Sequence, residues 1–138
     1  MAELVYDQAD RIGAWVAQQV GQKASWGGFY ALGVVDGDKV IAGVVFNNFN
    51  RANATCHIAI SKYTRLVPAM IAASCDYAFN YAGLKRLTGM VPSNEPKVLA
   101  FDKHIGFEEE FVMKDGAPGA DMHVLVMWPD KCRWLRKE

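Results

Sequence analysis

The stretch Val91–Phe111, "VPSNEPKVLAFDKHIGFEEEF", decides how the chain is read. An apolar strand ends at Val91-Pro92. Asn94 belongs to the residue types that favour helix starts, Pro96 suits a first turn, and Gly106 suits a helix stop. Phe107 then opens a new strand. The unit is strand, short helix, strand, which places the chain among domains that mix a sheet with covering helices.

Working outward, another helix and strand precede it, and no internal repeat is visible. "VPAMIAASCDYAFNYAG" (67–83) is expected to be a helix with Pro68 in its first turn and Gly83 at its stop. It leads into "RLTGMV" (86–91), a strand. Before it, "ATCHIAISK" (54–62) alternates, with Cys56, Ile58 and Ile60 pointing one way and Thr55, His57 and Ala59 the other. "FYALGVVDGD" and "KVIAGVVFNN" flank Asp36-Gly37-Asp38, a hairpin signal. "ELVY" reads as a first strand. In "DQADRIGAWVAQQVG", Ile12, Trp15, Val16 and Val20 recur at helical spacing up to Gly21. "EPKVLAFDKHIG" is the last helix, with Asn94 as its N-cap, and "FEEEFVMKDG" with "ADMHVLVMW" forms a closing antiparallel pair. The order β-α-β-β-β-α-β-α-β-β predicts a mixed sheet with helices on both faces.

Bulk properties narrow the function classes. The 138 residues suit a single domain over 1–138, and 51% hydrophobic content supplies a core. No run of apolar residues is long enough for a membrane span, so no membrane partner is expected. The acidic start "MAELVYDQADR" lacks a secretory n-region. The three cysteines, Cys56, Cys75 and Cys132, are far apart and have no CxxC spacing, which argues against a disulfide framework or a zinc site. A reducing cytoplasm is the expected location. Zero net charge removes the footprint of a general nucleic-acid binder, and the basic "KCRWLRKE" ending reads as a solvated tail.

With the element order and the Asn–helix–Gly-Phe block in place, nearly the whole chain resembles the GNAT family of acyl-CoA-dependent N-acyltransferases. The most specific part is "DYAFNYAGLKRLTGMVPSNEPKVLAFDKHIGFEEE", which is similar to the ribosomal-protein N-terminal acetyltransferase branch. The small size and the "CRWL" ending also look like short bacteriophage GNAT proteins. The resemblance implies an α/β (α+β) fold whose mostly antiparallel sheet splays open between its fourth and fifth strands. It implies acetyl-CoA as co-substrate, with no metal, and it allows a homodimer.

The resemblance also implies roles for particular residues. Main-chain groups near Ile58 and Ile60 would pair with the pantetheine amides. Asn94 would sit at the mouth of the splay as a cofactor contact, an N-cap, or both. Phosphates would meet the stretch Lys62, Tyr63, Thr64, Arg65, Leu66 and Val67 through main-chain N–H groups and the helix dipole. Lys62 and Arg65 would add charge-assisted bonds, or be plain solvated cations. The general base that frees the amine is sought first at His57, whose other reading is a structural histidine. Ser93 is a candidate to assist the thiolate. Trp26 and Phe29, around Gly27-Gly28, and His123 are candidate substrate-binding residues. His104 reads as exposed, and Glu108, Glu109 and Glu110 as a solvated strand end.

Three departures from the family pattern stand out. The pyrophosphate loop's two glycines are replaced by Tyr63 and Arg65. The Asn-to-Gly spacing is one residue longer than usual. Many GNATs carry a proton-donating Tyr about two turns after the Asn, and that count lands on Phe101 here, with Tyr30 or Tyr63 as replacements. The expected function is acetyl transfer from acetyl-CoA to a primary amine (a protein N-terminus, a lysine or a small amine) by direct attack in a ternary complex. The second reading is a GNAT-fold protein without turnover that acts through a protein partner. Nucleic-acid modification is a third, against which the zero net charge counts.

Overall fold

The computed structural model describes residues 1–135. The elements run β1 (Ala2–Val5), α1 (Ala9–Val20), β2 (Phe29–Asp36), β3 (Lys39–Asn47), β4 (Thr55–Ile60), α2 (Leu66–Cys75), β5 (Leu87–Pro92), α3 (Pro96–Ile105), β6 (Glu108–Ala117) and β7 (Ala120–Met127). The seven strands form one sheet in the order β1-β2-β3-β4-β5-β7-β6. Only the β4–β5 contact is parallel. This is the mixed sheet that the element order predicts and the GNAT fold that the resemblance implies.

Strand alternation sorts the core into two layers. Leu32, Val34, Val44 and Phe46 face α2, and with Leu87, Val91, Ile105 and Leu125 they build the larger core. Ala31, Val35, Val45 and Ala59 face α1 and meet Ile12, Val16 and Trp26. Two paired glycines, Gly33 and Gly43, bring α1 down onto the sheet. A Cβ on Gly43 would stand 2.7 Å from Val16 Cγ2, and one on Gly33 would stand 2.7 Å from the Ala42 carbonyl oxygen.

Two helix boundaries differ from the sequence reading. The helix opened at Leu66 does not run as an α-helix to Gly83. It turns π-helical over Asp76–Tyr81, which carries Tyr77 onto Tyr30 with ring centroids 3.7 Å apart. Stacking of this kind outweighs regular i→i−4 bonding over one turn. At α3 the N-cap position falls to Glu95, not Asn94. The Glu95 N–H closes a turn onto the Pro92 carbonyl at 3.0 Å, and Pro96 follows as the first helical residue. The helix therefore starts one residue later than expected, and that shift matters for the site.

Candidate functional site

The parallel strands β4 and β5 touch at one register position, Thr55 opposite Thr88. The Thr88 N–H donates to the Ala54 carbonyl at 3.0 Å. Beyond that point each strand stays with its outer neighbour. All of β4 pairs with β3, and all of β5 pairs with β7. The two therefore diverge, and a crevice opens between them. Main-chain direction alternates along β4. The Ser61 N–H, in phase with His57 and Ala59, donates to the Ile41 carbonyl of β3 at 2.9 Å. Ala54, in phase with Ile58 and Ile60, faces β5. The N–H and C=O groups of Ile58 and Ile60 thus line the crevice without a strand partner. Both residues that the sequence singled out stand on this open edge.

At the open end of β4 the chain enters α2. Lys62, Tyr63 and Arg65 are exposed, and none of the three side chains makes an ion pair or hydrogen bond among the described residues. The main-chain N–H groups of Tyr63, Thr64 and Arg65 are also uncommitted among the described residues. Together with the helix N-terminus they form a cluster of donors that suits an anion. Leu66 and Val67 do not join it. The Leu66 N–H donates to Thr64 Oγ1 at 3.2 Å, and the Val67 N–H to the Thr64 carbonyl at 3.0 Å. Val67 is fully buried. The expected main-chain phosphate contact from these two is corrected on that ground: oxygens of Thr64 already accept from both N–H groups.

His57 lies on the α1 face of β4, turned away from the larger core. Its Nε2 is 2.8 Å from Asn47 Oδ1, and its ring packs on Trp26 at 4.6 Å between centroids. Asn47 Nδ2 donates onward to the Trp26 carbonyl at 3.3 Å. This orientation makes Nε2–H the donor and leaves Nδ1 as the free lone pair. Burial lowers the His57 pKa to about 4, so it is neutral at neutral pH and a weak base. Trp26 is itself 8% exposed, with Nε1 donating to the Gly13 carbonyl at 2.9 Å. The expectation of Trp26 as a substrate-binding residue is corrected: its buried indole pins the α1–β2 connection. Phe29 is half-buried in the same layer.

Ser93 and His123 have structural partners. Ser93 N–H donates to the Asp121 carbonyl, and Ser93 Oγ accepts from the Asp121 N–H at 3.0 Å, which ties the end of β5 to the start of β7. His123 shares the α3 face with Glu109, which it contacts through Nδ1, and Lys103 approaches the same carboxylate. The hydrogen bond to His123 holds Glu109 below the usual carboxylate range. Asn94 is exposed beside the crevice mouth and its side chain makes no hydrogen bond among the described residues. Tyr30 is occupied against Tyr77, two strands away from β4, and Tyr63 is exposed at the α2 start.

The residue that sequence reasoning missed is Asp102. It is 8% exposed, on the inward face of α3 with Ile105 one turn on. Its carboxyl makes no hydrogen bond among the described residues, and burial pushes its pKa up to about 7. It lies near enough to Cys56, on the crevice edge of β4, to raise the thiol's pKa alongside the larger effect of burial. Counting about two turns from Asn94 reaches Phe101, which packs half-buried against the core. Counting from the actual cap at Glu95 reaches Asp102. The extra residue between Asn94 and Gly106 was the available signal.

The cavities follow this layout. The floor of the crevice is a small gap of about 10 Å³, lined among others by Cys56, Ile58, Leu87 and Ile105. The larger cavity, about 490 Å³, is an open groove beside α1, lined by Arg11, Trp15, Gln18, Lys39 and Ser61, and it lies on the opposite face from Asp102. α1 covers only β2, β3 and β4 of that face. Over β5, β7 and β6 no described helix covers it: Val124 and Val126 are buried among their neighbours, while Met90, Phe111 and Met113 are each at least 40% exposed. No group of metal-ligating side chains occurs among the described residues.

No family model matches the sequence, and no curated protein matches it. Solved structures do. A point mutant of spermidine N-acetyltransferase SpeG from Vibrio cholerae superposes with a TM-score of 0.75 at 14% identity, covering 94% of this chain and 95% of the other. A chimera of the Vibrio cholerae enzyme with hSSAT gives 0.74 at 15% identity, covering 94% and 97%. The dodecameric form of the Vibrio cholerae enzyme gives 0.73 at 15% identity. At such identities the likeness establishes a shared fold over nearly the full length of both chains.

Proposed function

We propose that this chain is an N-acetyltransferase that moves the acetyl group of acetyl-CoA to a primary amine. The observation that carries the reading is the crevice between β4 and β5, with unpaired main-chain groups at Ile58 and Ile60 and free N–H donors at Tyr63, Thr64 and Arg65 at its open end. A strand edge of that kind pairs with an amide-bearing chain, and pantetheine is one. The donor cluster suits its pyrophosphate, with Lys62 and Arg65 as mobile counter-charges. Donors of that type do not require glycine, so Tyr63 and Arg65 at the loop are compatible with the role.

The chemistry is direct. A neutral amine attacks the thioester carbonyl carbon, a main-chain N–H on the β4 edge holds the developing oxyanion, and the C–S bond breaks. His57 is too weak a base to carry the amine's proton at neutral pH, so proton removal falls to solvent. The face over β5, β7 and β6, which no described helix covers, is the approach left open to the acceptor. The similar enzymes are named for spermidine, which supports an amine acceptor in general. Among amines, the likeness to the ribosomal-protein branch favours a protein α-amine.

The test is a screen of amine acceptors (a peptide panel with free N-termini, a lysine peptide and polyamines) with acetyl-CoA, read by thiol release. Acceptor-dependent release supports the proposal. Tight acetyl-CoA binding with no release from any acceptor class would favour a binding role through a protein partner.

A further inference from the structure

Asp102 is a largely buried residue whose carboxyl makes no hydrogen bond among the described residues, yet its oxygens keep some solvent access, since Arg86 Nε is the one fully buried, unpartnered side-chain polar atom among them. A carboxyl so placed is held toward its protonated form and can still be reached. No charged side chain among the described residues offsets that burial, since desolvation is the whole cause of the shift. Ile105 stands one turn on along the same inward face of α3, the carboxylate acts electrostatically on Cys56 of β4, and Cys56 and Ile105 both line the small gap at the floor of the crevice. The open edge of β4 runs from Cys56 to Ile60, so a thioester paired along that edge would bring its sulfur beneath α3. We propose that Asp102 is the proton donor to the leaving thiolate of the acyl donor. The proposal rests on the acetyltransferase reading above.

The step balances. As the tetrahedral intermediate collapses, the C–S bond's electron pair goes to sulfur. The Asp102 carboxyl gives its proton to that sulfur and becomes a carboxylate. The amide product leaves, the extra ammonium proton passes to solvent, and water restores the proton on Asp102. A carboxyl that is half-protonated near neutral pH matches this task, because it donates readily and recovers readily. Neither Phe101 nor Tyr30 can serve, the first for lack of a proton and the second because it is stacked two strands away.

The experiment compares wild type with Asp102→Asn, which keeps the shape and removes the acid. Wild-type acetyl-CoA binding and thiol release are measured first. With acetyl-CoA the variant is expected to lose kcat by on the order of a hundredfold, with little change in KM. With an aryl thioester such as nitrothiophenyl acetate, whose thiolate leaves without help, the two proteins should run alike. Wild-type kcat should also decline as pH rises above about 7, and the variant should lack that limb. Full kcat in the variant, or equal slowing with both donors, overturns the role of Asp102 while leaving the transferase reading intact. A wild type that neither binds acetyl-CoA nor releases thiol overturns the transferase reading, and the proton-donor role falls with it.

Discussion

Replacing Asp102 by Asn also makes a stability prediction that does not depend on any substrate. The carboxyl's pKa rises from 3.8 to about 7 on folding, with the residue 8% exposed. A raised carboxyl pKa means that the folded chain holds the proton more tightly than the unfolded chain. The protein therefore loses stability as pH climbs from about 4 to about 7, and the loss is level above that. Three units at 1.36 kcal/mol each come to roughly 4 kcal/mol. His57 works in the opposite sense. Its pKa falls from 6.5 to about 4, so the folded chain resists protonation and loses stability as pH drops through that range. The two ramps overlap and largely offset each other in wild type. Asp102→Asn removes one of them. Urea unfolding of both proteins at several pH values from 4 to 8 should show the variant's relative stability growing by about 4 kcal/mol across the range. Fixed effects of the substitution cancel in this comparison. A stability difference that stays constant with pH would refute the claim that Asp102 is a buried, unpaired carboxyl.

Other predictions follow from single contacts. Trp26→Ala removes the hydrogen bond to the Gly13 carbonyl and the ring against His57, and should cost about 3–5 kcal/mol in denaturant unfolding. Gly33→Ala forces a methyl to within 2.7 Å of the Ala42 carbonyl oxygen and 2.6 Å of Ile12 Cδ1, and should destabilise by about 1–3 kcal/mol. An unchanged urea midpoint in either variant would contradict the packing described for α1. Lys62→Ala and Arg65→Ala change exposed cations, so thermal stability should not move. Each should weaken acetyl-CoA binding several-fold at low salt, about 1 kcal/mol, with the difference shrinking as ionic strength rises.

The fold was legible where periodicity carried it. The alternation of "ATCHIAISK" put His57 and Cys56 on opposite faces, and they are found there, one against Trp26 and the other toward α3. Asp36-Gly37-Asp38 makes the β2–β3 hairpin, with Gly37 at φ +62°. The splay between β4 and β5 was not legible from pattern. Both strands carry ordinary apolar sequences, and only resemblance pointed to the gap. Local competition accounts for the misread residues. Thr64 captures the donors of Leu66 and Val67, and a turn onto Pro92 moves the α3 cap from Asn94 to Glu95. Asp102 was hidden because a lone aspartate in a helix reads as surface. It shares the inward face of α3 with Ile105, three residues on. Similarly, the π-helical turn at Asp76–Tyr81 depends on a ring from β2 that no local pattern reveals.

The central claim is that the crevice between β4 and β5 receives acetyl-CoA. Isothermal titration of acetyl-CoA into the purified chain tests it most directly, with the Lys62→Ala/Arg65→Ala double variant alongside. The account predicts one site per chain, micromolar affinity, and clearly weaker binding by the double variant. No heat and no thermal shift at millimolar acetyl-CoA would contradict it, and would leave a chain of this fold whose crevice serves some other purpose.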